Sequence, residues 1–299
     1  MTSPRGVADS TATDHPSAPP ADRCPNCHRP LDARFCPDCG ERRASDRHYS
    51  LAHFGEEIAE TFTHADGTLW RTFKALVLRP GELTAAYMRG ERMRFMKPLS
   101  LFLVISVVYF VVSSAAGART FDTPLRVHMR RSNHGVIATR MVNERLTKRK
   151  ISLDSYETPF NKASTAHAKS LVIVMVPVFA LVVMLLEIRR HRFALQHLIF
   201  SLHAYTFLLV LSIVVDGVLV IPIWLIRSGR WILGGQQLDN AVGFVVLLTM
   251  GVYYALALGR AYGDGRVAAT LKSVALVVSM ALILFLYRAF LFFVTYWTT

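Results

Sequence analysis

Val274–Trp297, VALVVSMALILFLYRAFLFFVTYW, holds 24 residues and a single charge, Arg288. A helix needs about 20 residues, at about 1.5 Å of rise each, to cross a hydrocarbon core of roughly 30 Å. This run has the length and composition of such a helix. Working back toward the N-terminus, four more apolar segments appear. The sequence therefore predicts an all-α membrane protein with about five transmembrane helices, at about 99–116, 170–187, 197–218, 241–258 and 274–297. Residues 195–226 are long enough to contain a kinked or re-entrant piece after Asp216 and Gly217, so whether 217–232 crosses or re-enters stays open.

Charge follows the same division. Residues 1–98 carry 14 Lys/Arg and 13 Asp/Glu, whereas from Leu99 onward there are 20 basic and 8 acidic residues between apolar runs. A basic excess placed this way points first to the bilayer and its anionic headgroups, and only second to nucleic acid. The turn Arg189–Arg192 and the loop Arg260–Lys272 hold three Lys/Arg each, and Arg79, Arg89, Arg92, Arg94 and Lys97 precede the first span. The positive-inside rule then puts the N-terminus in the cytosol. One loop opposes this: residues 117–168 hold ten Lys/Arg against four acids, yet loop 117–169 is placed on the extracytoplasmic side. Loops of that length are translocated largely regardless of charge. Within it Arg140–Lys150, RMVNERLTKRK, reads as a basic helix, solvated or lying on headgroups.

The residues before the bundle divide into three parts. Residues 1–22 are rich in Pro, Ser, Ala, Thr and Asp with no apolar core of signal length, and read as a disordered leader. Residues 23–43 contain all four cysteines of the chain, Cys24, Cys27, Cys36 and Cys39, as C-x2-C-x8-C-x2-C. Two such knuckles facing each other form the tetrahedral thiolate site that zinc favours. The expected cofactor is thus one structural Zn2+, its coordination closed. A module of about 20 residues cannot build a core, so metal binding supplies its folding energy. A redox pair of motifs is the alternative, without the βαβ context it needs. Residues 50–98 show apolar residues at helical spacing: Leu51, Phe54, Ile58 and Phe62, then Leu69, Trp70, Phe73, Leu76 and Val77. They read as amphipathic interfacial helices broken at Arg79-Pro80-Gly81-Glu82, with a soluble hairpin as the alternative.

Inside the bundle, His197, Ser201, Tyr205, Ser212 and Asp216 fall within about 100° of one helix face, a candidate polar network. His203 lies away from that face. Arg288 should reach the depth of Asp216, where an ion pair would satisfy both charges; snorkelling of Arg288 to the headgroups is the alternative. The stripe reads either as interhelical hydrogen bonding or as a proton or solute path.

Several stretches resemble one family. The ribbon Cys24–Gly40 is similar to zinc-ribbon heads of bacterial membrane proteins. Leu69-Trp70-Arg71-Thr72-Phe73-Lys74, Arg79-Pro80-Gly81-Glu82, Tyr87, Gly90, Arg92, Pro98 and Leu99 resemble the opening motif of an uncharacterised bacterial inner-membrane family, known only as a domain of unknown function. The run His197–His203 with Phe207 is similar to its mid-bundle motif. Tyr253-Tyr254-Ala255-Leu256 with Arg260-Ala261-Tyr262-Gly263 resembles its later one. The resemblance implies a multi-pass protein of the bacterial inner (cytoplasmic) membrane and brings no activity. The expected function is that of a membrane-anchored interaction or regulatory protein with a cytosolic protein partner. A small-solute or proton transporter using the stripe is the alternative. No H-E-x-x-H, nucleophile elbow, phosphate-cradling glycine loop or paired intramembrane carboxylate marks an enzyme. Acids interspersed among the ribbon's arginines disfavour nucleic-acid binding.

Overall fold

A computed structural model describes residues 23–24, 26–30, 36, 38–39, 67–116, 121–132, 134–190, 193–215 and 235–299. The leader 1–22, the apolar pattern at 51–62, Asp216 and the open question of 217–232 lie outside the described residues. Among the described residues the protein is all-α. The order is α1 (Thr68–Leu78), α2 (Glu82–Arg89), α3 (Pro98–Ala116), α4 (Leu125–Arg131), α5 (Gly135–Arg149), α6 (Leu153–Leu186), α7 (Ala194–Val214), α8 (Gly235–Tyr262) and α9 (Arg266–Thr298). Four helices are long and apolar enough to cross a membrane: α6, α7, α9 and, within α8, Ala241–Tyr262; α3 is a shorter apolar helix beside them. This is an all-α membrane protein.

The apolar side chains show how the bundle sits in its solvent. On α3, Leu101, Phe102, Ile105 and Tyr109 are buried at helical spacing while Val107, Val108 and Val111 face outward. On α9 the buried row Ala269, Ser273, Leu276, Met280, Ile283, Tyr287, Leu291 alternates with the outward row Val267, Leu271, Val274, Val278, Leu282, Leu286. Both faces are apolar, which water would not tolerate over this area and lipid does. Helix α7 is the exception: 16 of its 21 residues are buried, because α3, α6, α8 and the short α1 and α2 surround it. A helix hydrophobic all round belongs in the middle.

Three expectations need correction. Helix α6 begins at Leu153 rather than near 170, so the second half of the expected extracytoplasmic loop 117–169 is a continuation of the membrane helix. Pro177 does not break it. A 3₁₀ turn at Val172–Val174 absorbs the hydrogen bond that proline cannot donate. The rest of that loop, α4 and α5, is not a detached insert. At 33 residues, α9 is about 50 Å long, well over a bilayer core. Its protruding end packs Phe292 with Leu125, Ala138, Val142, Tyr156 and Phe160 into a second small core. The basic α5 (Gly135–Arg149) lies on this core, and Arg145 stacks over the Tyr296 ring at 3.5 Å.

The third correction concerns α1 and α2. These amphipathic helices do not simply rest on a surface: Thr72, Ala75, Leu76, Leu83, Thr84, Ala85 and Ala86 are buried against α7 and α8. Gly81 makes that docking possible. A Cβ there would lie 2.6 Å from the Ala257 carbonyl oxygen, and its φ of 81° is left-handed. Gly90, at φ 89°, closes α2 with hydrogen bonds from Gly90 N to Tyr87 O and Glu91 N to Ala86 O.

Candidate functional site

The four cysteines come together. Their Sγ atoms all lie within 4.8 Å of one another, with Cys24–Cys39 and Cys27–Cys36 both at 3.5 Å. A disulfide needs about 2.05 Å, whereas four sulfurs at about 2.3 Å from one metal stand ~3.8 Å apart. The donor set fits a metal ion. The first knuckle is built by a turn in which His28 N donates to Cys24 O and Cys24 N to Arg29 O, at 2.8 and 2.7 Å. It places His28 at φ 62°, the left-handed conformation glycine would occupy more easily. Backbone N–H groups of Cys39 and Asp38 hold the Cys36 thiol down to about 7. Burial pushes Cys24 up. Arg29 and Asp38 link the two knuckles at 3.2 Å across an exposed surface.

A second cluster, which no sequence motif marks, lies at the α1/α2 end of the bundle. Lys272 of α9 donates to Glu187 at 2.6 Å and to both Asp264 oxygens at 3.0 Å. Arg190 reaches Asp264 at 2.7 Å and Glu187 at 3.2 Å, and also donates to the Tyr262 carbonyl. Both carboxylates are buried, at 0% and 2% side-chain exposure, and are neutralised by two bases that stay partly in contact with solvent. Burial raises the Glu187 carboxyl. Asp264 meets the same desolvation but is lowered, because Lys272 and Arg190 favour its charged form. The basic stretches Arg189–Arg192 and Arg260–Lys272, which in the sequence are topology signals, supply the bases of this cluster. Glu187, two positions before the first of these stretches, and Asp264, inside the second, are the acids that hint at the cluster in the sequence.

The polar stripe is dispersed. His197 Nδ1 meets Tyr262 Oη at 3.0 Å with the rings stacked. The hydroxyls of Ser201 and Ser212 donate to their own helix, at His197 O and Leu208 O. Tyr205 Oη is buried and has no hydrogen-bond partner among the described residues. Of the four, His197 makes a side-chain hydrogen bond to another helix, the two serines turn back on the α7 backbone, and Tyr205 Oη is left unpaired among the described residues. Asp216, and with it the expected pair to Arg288, lies outside the described residues. Arg288 and Ser212 line a cavity of about 630 Å³ with Phe121, Met175, Val246 and Leu284. His203, set aside in sequence because it lay off the stripe, is the residue that reaches farthest: its Nδ1 is 2.9 Å from Thr84 Oγ1 of α2.

Three separate stretches therefore converge at one end: Thr84 on His203, Tyr262 on His197, Gly81 on Ala257, and Arg260 donating to Pro80 O at 2.6 Å. The profile of a family described as Protein of unknown function (DUF3667) matches residues 66–110. The match covers less than half of the chain. No curated protein and no solved structure matches it. The matched stretch is the piece of chain that docks on α7 and α8 and then enters α3.

Proposed function

We propose that this chain is a membrane-anchored interaction or regulatory protein of the bacterial inner membrane, multi-pass with its N-terminus in the cytosol. In this reading its head is a ribbon folded around one structural Zn2+. One observation carries the proposal: four cysteine sulfurs gather within 4.8 Å of one another, a set that would fill all four positions of a tetrahedral metal and leave none for substrate. The metal's role is then to hold two knuckles that have no other core, and to present their surface to a cytosolic protein. Zinc is favoured over iron–sulfur chemistry by the paired C-x2-C spacing of a ribbon. The buried charges of the bundle support the same reading, because Glu187, Arg190, Asp264 and Lys272 satisfy one another. No enzymatic role is proposed.

Purified full-length protein should hold one zinc per chain by elemental analysis, and the Cys24→Ser/Cys27→Ser variant should hold none. Metal-free wild-type protein with unchanged helix content would reject the ribbon. Crosslinking in cells through residues 24–43 should capture a specific cytosolic protein. A small-solute or proton transporter is the second reading, favoured by the cavity beside Ser212 and Arg288. No specific partner, together with proton flux in liposomes that depends on Asp216, would put that reading first.

A further inference from the structure

Helix α1 carries an unusual outward face. At about 100° per residue, Trp70, Lys74, Leu78 and Arg71 fall within about 100° of one another. Trp70 and Leu78 are 69% and 66% exposed, so this face presents two large apolar groups and two cations together. Beside it, Arg71, Lys74, Leu78 and Arg79 of α1 and its C-cap meet Arg94 and Phe95 across a concave surface of about 310 Å³. The 91–95 turn is held there by Met96 N donating to Thr72 Oγ1 at 2.9 Å and by Arg71 reaching Arg94 O at 3.5 Å.

The charge balance of this concavity is one-sided. One acid, Glu82, also lines it, but that carboxylate faces Arg89 and Arg260, and the nearby Glu91 takes Arg89 and Arg94. Arg71, Lys74 and Arg79 pair with no acid among the described residues. Three uncompensated cations around a small hollow call for an anion with several oxygens. The flanking Trp70, Leu78 and Phe95 call for one attached to a hydrocarbon. We infer that this hollow holds the phosphate of an anionic phospholipid headgroup, with Trp70 and Leu78 set among its acyl chains. The inference rests on the membrane-embedded reading of the bundle. It adds a specific lipid site on the stretch that matches the family.

The test uses full-length protein in detergent, titrated with dioctanoyl phosphatidylglycerol, dioctanoyl phosphatidylcholine or inorganic phosphate and read by native mass spectrometry. Phosphatidylglycerol should bind with preference over phosphatidylcholine. The Arg71→Gln/Lys74→Gln/Arg79→Gln variant should weaken it at least about tenfold. An equal loss of charge at the far end, Arg140→Gln/Lys150→Gln/Lys162→Gln, should change it less than about twofold. Equal losses in the two triple variants would overturn the site in favour of diffuse attraction, and so would wild-type protein that binds phosphatidylcholine as tightly as phosphatidylglycerol. Displacement of the lipid by inorganic phosphate at matched concentration would overturn the lipid assignment in favour of a soluble phosphate ligand. The three substituted side chains are exposed, and an unchanged melting temperature confirms that the variant folds. Failure of the membrane reading would look different: the wild-type chain would stay in solution without detergent.

Discussion

The two ends of this bundle are held in opposite ways. At the α1/α2 end the connections are short, residues 187–193 and 263–265, and polar side chains close the structure. Lys272, Arg190, Glu187 and Asp264 form a buried ionic knot, and hydrogen bonds run from His203 to Thr84 and from His197 to Tyr262. At the α4/α5 end the connection is long, and it closes with rings. Phe121, Tyr109 and Tyr287 meet edge to face, and Phe160, Phe292, His128 and His134 cluster beyond them. Short loops hold the helix termini and their charges at one level, where the packing of helices distant in sequence pairs them. A long connection has enough chain to build an apolar core of its own. The difference teaches that sequence separation, as much as composition, decides which kind of interaction closes an end.

The ionic knot should be the most sensitive element. Lys272→Met leaves Glu187 and Asp264 buried with one cation between them, and should cost about 4 kcal/mol, read as a fall in the detergent melting temperature. A loss below about 1 kcal/mol would mean that the knot is solvated and the two ends are not so different. Next comes the docking of α2. Gly81→Ala places a methyl group against the Ala257 backbone in a left-handed conformation, and should cost about 3 kcal/mol. Hydrogen exchange should show α2 released while α9 stays protected. The smallest effect sharpens the comparison at the other end. Burial, followed by the charges of His134 and Arg288, lowers His128 to about 3. The unfolded chain takes up that proton near the ordinary value of about 6.5, and the folded one does not. Stability is therefore whole above about 6.5 and falls as the pH drops toward 3, by about 2 kcal/mol between pH 7.5 and 5. Limited proteolysis of 125–152 should accelerate over that window, and His128→Asn should flatten the dependence.

Much of this was legible in the residues. Apolar runs such as 274–297 announce membrane helices because lipid imposes length and composition on them directly. The four cysteines, at fixed spacing within 16 positions, announce their own convergence. Legibility ended where rotation and neighbours mattered. His197, Ser201, Tyr205 and Ser212 share a face of one helix, yet His197 turns to Tyr262, the two serines bond back to α7 itself, and Tyr205 Oη stays unpaired among the described residues. His203, which lies off that face, makes the contact with α2 through Thr84.

By itself, then, the amino-acid sequence determined the apolar cores of the long helices, their solvent and the clustering of the four cysteines. Each of these depends on local length, period or spacing. Only the tertiary structure decided that Thr84 meets His203 and that Glu187 meets Lys272, pairs separated by 119 and 85 residues. Contacts at such distances depend on how helices rotate and pack against one another. No local pattern records that choice.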